Sequence, residues 1–258
     1  MQLCNKKVKK PVIILLVLLT LLTMTHTVLA YDGTGYGAQW SNYSGTTDID
    51  TRRASYWMNY YCENYGGYNI YQTTSDRSSN IYNYAKQIDE LEFSFGHCNA
   101  GLIQLVGDND GVAPWDATYL FAGLGGESNT SNNYYLSTYS SSDVDDLLLW
   151  VFGGCYTGNT SATYGNLLTR AAGKGVDCVI GFTSTVMAPT SNSDASGNLY
   201  WKEFWYWAAV QGYTIQGACN YALQNLIALE GSAQGFNTVT FNGEVGSGIS
   251  ILPARAGS

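Results

Sequence analysis

The amino-acid sequence predicts an α/β protein built on a mostly parallel sheet with helices on both faces. Three observations carry this prediction. Strand-like and helix-like segments alternate along the chain, the order expected of a parallel sheet with crossover helices. Leu147–Phe152 and Val176–Phe182 are nearly continuous apolar runs of strand length, as strands buried on both faces require. Asp50–Tyr65 spaces its Tyr and Trp residues for an amphipathic helix and stops at Gly66-Gly67.

Taken in order, the first thirty residues read as an export signal. Lys6, Lys7, Lys9 and Lys10 form a basic start, Pro11–Val28 is mostly apolar, and Val28-Leu29-Ala30 offers small residues for cleavage. The expected mature start is Tyr31, with residues 31–258 as a single domain that is secreted and has no stable membrane insertion once the signal is removed. The alternative is an uncleaved anchor, because the apolar run is close to the minimum that spans a bilayer. Cys4 precedes that run and so does not suit lipid attachment. Tyr36–Trp40 reads as the first strand, the Asp50–Tyr65 helix follows, and Tyr68–Gln72 is a second strand. Asp76–Ile88 reads as a helix, with Ser75 placed to cap it, and Leu91–Gly96 as a third strand ending at His97. A Gly/Asn/Ser/Thr-rich stretch over 99–142 holds two short apolar pieces, Leu102–Val106 and Tyr119–Ala122, expected to form a small hairpin. Beyond the two apolar strands, Asn166–Ala172, Leu199–Val210 and Thr214–Leu229 read as helices, and Thr238–Phe241 and Gly248–Leu252 as edge strands.

Composition narrows the function classes. The chain of 258 residues carries 12 Lys and Arg against 20 Asp and Glu. Removing the signal takes away four lysines and no acid, which leaves a net charge of minus 12 on 228 residues. Such a surface repels phosphates and holds no basic cluster, so nucleic acid is excluded as a partner. Asn42, Asn129 and Asn159 open Asn-x-Ser sequons. Five cysteines remain after export (Cys62, Cys98, Cys155, Cys178 and Cys219), and an odd number in an oxidising compartment implies a free thiol or an intermolecular bond.

Two central strands end in chemically capable residues. Leu91–Gly96 runs into His97, and Leu147–Gly154 runs into Cys155; in a parallel sheet, groups beyond the carboxyl ends of neighbouring strands share one crevice. His26 leaves with the signal, so His97 is the one imidazole of the mature chain. A thiol becomes a strong nucleophile when a nearby imidazole takes its proton. Gly153 and Gly154 permit a sharp turn, and the amides of Gly154 and Cys155 are candidates for an oxyanion hole. The plain alternative is a hydrogen-bonded loop histidine beside a buried structural cysteine.

An apolar strand followed by Phe95-Gly96-His97, and another followed by Gly154-Cys155-Tyr156-Thr157-Gly158, resemble the two motifs of the caspase, gingipain and legumain clan of cysteine peptidases. The 58-residue separation is near that of caspases. Gly175–Phe182 looks like the strand that follows the catalytic cysteine in gingipain-like domains, and Phe204–Ala222 like their helix pair. The resemblance covers about residues 36–230 and implies a caspase-hemoglobinase-like three-layer sandwich, a secreted endopeptidase with a His97–Cys155 dyad, a peptide or protein substrate, and no required cofactor. It departs at one position: the clan has Gly after its histidine, whose amide helps the oxyanion hole, and this chain has Cys98. The hole is then assigned to Gly154 and Cys98. Cys98 also raises the possibility of a disulfide to Cys155 that locks the nucleophile. A second arrangement leaves Cys155 free and pairs Cys62, Cys98, Cys178 and Cys219.

Relatives in this clan read the residue before the cleaved bond with a charged group near the end of the first strand. Asp48 and Asp50 are the candidate substrate-binding carboxylates here, with Arg52 and Arg53 close by and pointing to the opposite preference. Asp108 and Asp110 have the spacing of a calcium-loop fragment, which makes Ca²⁺ a candidate ligand against the plainer reading of an Asp-Gly turn. The rival from another class is a non-catalytic extracellular binding module, with 21 tyrosines and 7 tryptophans to supply contact surfaces.

Overall fold

The computed structural model describes residues 31–40, 49–73, 89–104 and 119–252. The signal-like segment, the expected helix at Asp76–Ile88, the Asn42 sequon, and Asp48, Asp108 and Asp110 lie outside the described residues. In chain order the strands are β1 (Tyr31–Gly37), β2 (Gln39–Trp40), β3 (Ile49–Asp50), β4 (Tyr68–Thr73), β5 (Asp89–Phe95), β6 (Cys98–Asn99), β7 (Leu102–Gln104), β8 (Tyr119–Phe121), β9 (Asn133–Tyr135), β10 (Leu149–Phe152), β11 (Cys178–Phe182) and β12 (Val239–Asn242). The helices are α1 (Arg52–Tyr61), α2 (Leu167–Ala172), α3 (Ser196–Trp205) and α4 (Ile215–Glu230).

Six strands make the main sheet in the order β12-β11-β10-β5-β1-β4. Every neighbouring pair is parallel except β11 with β12, which is antiparallel at the edge. Strand pleating sorts the side chains onto two faces. Leu91, Phe93, Phe95, Leu149, Val151, Ile180 and Phe182 face one core, which Ala54 and Met58 of α1, Trp201, Phe204 and Trp205 of α3, and Ala218, Ala222 and Leu226 of α4 complete. Trp150, Phe152 and Val179 face the other, shared with Leu167, Leu168 and Ala171 of α2 and with Ile103 and Leu120 of the second sheet. This is the mostly parallel sheet with helices on both faces that the sequence predicts. Each of the fully buried large rings contributes about 2 to 3 kcal/mol of transfer free energy.

The helix ends follow local chemistry. Asn166 accepts the amide of Thr169 at 2.8 Å to start α2, Thr214 accepts that of Gly217 at 3.2 Å to start α4, and α4 closes at Gly231 with φ 71°. The chain of α1 runs on as a π turn over Cys62–Gly66 and that of α3 as another over Tyr206–Val210.

Three expectations need correction. β1 starts at Tyr31 and ends at Gly37, where a strand over Tyr36–Trp40 was expected; Gln39 and Trp40 pair separately with β3. Its glycines are the reason. A Cβ on Gly33 would lie 2.8 Å from Ile70 Cδ1 and one on Gly37 2.3 Å from the Thr51 carbonyl oxygen, so strand propensity yields to close approach. Gly248–Leu252 is no strand. Its carbonyls instead serve other elements, Ile249 accepting the Ile215 amide at 2.8 Å and Ile251 the Tyr68 hydroxyl. The expected hairpin of Leu102–Val106 with Tyr119–Ala122 is present in part as the antiparallel β7–β8 pair, but it belongs to a four-stranded sheet, β6-β7-β8-β9.

Candidate active site

The two strands carrying the candidate residues are immediate neighbours. β5 and β10 run parallel, with Ser94 opposite Phe152 as their last paired residues, and the amide of Gly153 donates to the Ser94 carbonyl at 2.7 Å. His97 and Cys155 each follow that last pair by three residues. Both half-buried residues therefore leave the sheet side by side at its carboxyl end. That is the position where open parallel sheets gather chemistry.

The turn after β10 is held from inside. Thr157 is fully buried; its hydroxyl lies 2.8 Å from the Phe152 carbonyl and 3.0 Å from that of Gly154, and accepts the Phe182 amide of β11 at 3.1 Å. Gly154 is squeezed against Cys98. A Cβ at position 154 would sit 2.1 Å from Cys98 Sγ, 2.6 Å from Cys98 Cβ and 2.6 Å from the Gly96 carbonyl oxygen. The Cys98 thiol lies 3.4 Å from the Gly96 carbonyl.

Cys98 belongs to β6 and needs no positive φ; among the described residues the non-glycine residues with positive φ are Tyr156, Ser196 and Gln234. Its neighbour His97 accepts the Gln104 amide at 2.9 Å, which makes His97 and Gln104 a hydrogen-bonded pair of the β6–β7 ladder. The next pair, Cys98 with Ile103, is then a non-hydrogen-bonded one, and the Cys98 amide points away from β7. Burial raises the Cys98 thiol well above its ordinary pKa, and the Cys155 thiol beside it pushes in the same direction.

Cys155 meets a loop that sequence reading missed. Residues 184–187 follow β11, and their backbone runs against the candidate nucleophile: the Cys155 thiol is 3.5 Å from the Val186 carbonyl and the Tyr156 amide donates to the Ser184 carbonyl at 3.0 Å. Burial raises the Cys155 pKa, an effect partly opposed by hydrogen bonding to the backbone at Val186 and at Cys155 itself. The available signal in the sequence was a polar Thr183-Ser-Thr immediately after an apolar strand, a pattern that by itself says only that the strand has ended.

Asp50, the candidate substrate-binding carboxylate, is paired with Arg52. Its carboxylate is buried and binds Arg52 through both oxygens, at 2.9 and 2.6 Å, while also accepting the Arg52 amide at 3.2 Å. Asp50 instead fixes the scaffold: its amide donates to Pro189 at 2.7 Å and its carbonyl accepts from Asn198 at 2.8 Å. Arg53 is likewise engaged, donating to Asp194 at 2.8 Å. All five cysteines of the described residues are free thiols, so neither the Cys98–Cys155 lock nor the two-bond arrangement is present. Cys178 opens β11 as a fully buried small apolar residue. Among the described residues no cluster of three or more His, Cys, Asp or Glu is arranged to hold a metal ion, and no helix is long and apolar enough to cross a membrane.

The fold is similar to that of the Arg-specific cysteine proteinase gingipain R, with a TM-score of 0.54 and 11% identity, over 85% of this chain and 47% of that one. At that identity the likeness shows the fold alone, and the chain spans about half the length of the solved structure. No family profile and no curated protein matches the sequence.

Proposed function

We propose that the protein is an exported cysteine endopeptidase whose nucleophile is Cys155 and whose general base is His97. The observation that carries the reading is the in-register exit of β5 and β10, which sends both residues from the same end of the sheet. In the first step the Cys155 thiol gives its proton to His97 and the sulfur attacks the peptide carbonyl carbon. As the tetrahedral intermediate collapses the C–N bond breaks, and His97 returns the proton to the leaving amine. Water, deprotonated by His97, then hydrolyses the thioester, releasing the acid and restoring the thiol. The amides of Gly154, Cys155 and Cys98 are the donors assigned to the oxyanion, that of Cys98 because it is turned away from β7.

A second reading has its own support. Tyr56, Tyr60 and Tyr65 are exposed along α1 and its π turn, and ring contacts link them through Tyr61 to Tyr206 on the neighbouring helix. That face suits a non-catalytic binding module. A panel of fluorogenic peptides under reducing conditions, with and without Ca²⁺, separates the two. The peptidase reading expects turnover that disappears in Cys155→Ala and in His97→Ala, with a thiol-directed active-site probe labelling the wild type at Cys155. Turnover that persists in Cys155→Ala refutes the assignment, and none by wild type favours the binding module.

A further inference from the structure

Tyr156, the residue after Cys155, has φ 58°. An L-residue with a ring side chain rarely occupies this left-handed region, and it persists only where its surroundings impose it. Here the surroundings are three successive residues of the loop after β11. The Ser184 carbonyl accepts the Tyr156 amide at 3.0 Å, the Thr185 hydroxyl donates to the Tyr156 hydroxyl at 3.0 Å, and the Val186 carbonyl lies 3.5 Å from Cys155 Sγ. The loop is itself braced from behind. Gln234 accepts the Met187 amide at 3.1 Å, Gly197 donates to the Met187 carbonyl at 3.0 Å, and Gly235 packs so tightly that a Cβ there would fall 1.9 Å from the Thr185 carbonyl oxygen.

From this geometry we infer that Tyr156 is a positioning residue for Cys155: its side chain, clamped to Thr185, holds the backbone in the left-handed turn that aims the thiol. The inference rests on the peptidase reading only for what the aiming serves. Neither Tyr156 nor Thr185 needs to touch the substrate for the clamp to act. Each presents an exposed side chain, so the hydroxyl pair carries no buried packing load of its own.

The test uses Tyr156→Phe, Thr185→Val, the double variant and Thr185→Ser in the full mature chain. Two rates are read: turnover of a fluorogenic peptide, and alkylation at Cys155 by iodoacetamide, followed by peptide mapping so that the other four thiols do not count. Loss of one hydrogen bond predicts that Tyr156→Phe and Thr185→Val each lower kcat about three- to tenfold with KM unchanged. Alkylation rises by a similar factor, because a thiol no longer held against Val186 is more open to a small reagent. The double variant is no worse than either single one, since both remove the same interaction, and Thr185→Ser, which keeps the hydroxyl, restores both rates. Unchanged alkylation in all variants, or additive losses in the double one, overturns the inference. Because alkylation needs no turnover, it decides the clamp even where wild type cleaves no peptide, and the peptidase reading stands or falls separately.

Discussion

Gly154→Ala is the most direct probe of the turn that carries Cys155. The new Cβ meets Cys98 Sγ at 2.1 Å, Cys98 Cβ at 2.6 Å and the Gly96 carbonyl oxygen at 2.6 Å, whereas unstrained carbon contacts lie at about 3.5 to 4 Å. Neither neighbour yields easily. Cys98 belongs to β6, and Gly96 is the residue that leaves β5. Overpacking of this kind costs about 1 to 3 kcal/mol, and for a domain of this size about 2 kcal/mol lowers the melting temperature by about 4 to 8 °C. Thermal unfolding followed by circular dichroism reads this directly. The structure further predicts coupling: in Cys98→Gly two of the three contacts vanish, so Gly154→Ala made in that background costs about 1 kcal/mol less. A Gly154→Ala protein that melts within about 1 °C of wild type, or whose cost is the same with and without the Cys98 side chain, would show that 98 and 154 are not packed in this way.

Other expectations concern titration. Burial, aided by neighbouring charge, holds the Cys178 thiol up to about 12, and burial alone does the same for Cys219. Their unfolded values are lower, so the folded state binds protons more tightly, and this contribution is full below the ordinary thiol range and lost progressively as pH rises from that range to the folded value of about 12; by pH 10 the loss is about 1 to 2 kcal/mol per thiol. Thermal melts from pH 7 to 10 should fall accordingly, and a flat profile would contradict the burial. At Cys155 the raised pKa predicts alkylation that climbs about tenfold per pH unit from 7 to 9, and a rate already level at pH 7 would mean a preformed thiolate. Asp194 works in the opposite direction. Burial opposes its ionisation, but hydrogen bonds from Trp57 at 2.7 Å, Arg53 at 2.8 Å and Lys202 at 3.0 Å outweigh it and depress its pKa. Its contribution is present above the ordinary carboxylate range and lost as pH falls through the depressed value. Asp194→Ala should cost about 1 to 2 kcal/mol in chemical denaturation at pH 7, and the gap to wild type should narrow as pH falls below the ordinary carboxylate range.

The central strands were legible because burial on both faces leaves a signature in the strand itself: β10 and β11 can hold almost nothing but apolar residues. α1 and α4 were legible for a similar reason, since a one-sided core imposes helical spacing. β1 was not. Glycine at 33, 35 and 37 reads locally as a loop, and what makes it a strand is the closeness of Thr51 and Ile70, which arrive from elsewhere in the chain. The Gly248–Leu252 segment misled for the converse reason. Its apolar residues suit a strand, but its backbone acceptors are taken by Ile215 and Tyr68.

At the site, local sequence marked the ends of β5 and β10 but could not state that these strands are neighbours, because pairing between residues some sixty positions apart is decided by the whole sheet. The fate of Asp50 was closer to the surface. An Asp two residues before an Arg at a helix start is the pattern of a side chain that caps the turn and binds the arginine, so its capture by Arg52 was the local alternative to a substrate-facing role. Cys98 follows the same logic in reverse. Read alone, a side chain where the related clan has glycine suggests a damaged oxyanion hole. In the fold that side chain turns to Gly154, whose missing Cβ makes room for it, and the Cys98 amide points the other way from β7. The glycine needed for close approach stands at 154, so the steric demand of a side chain at 98 is met there.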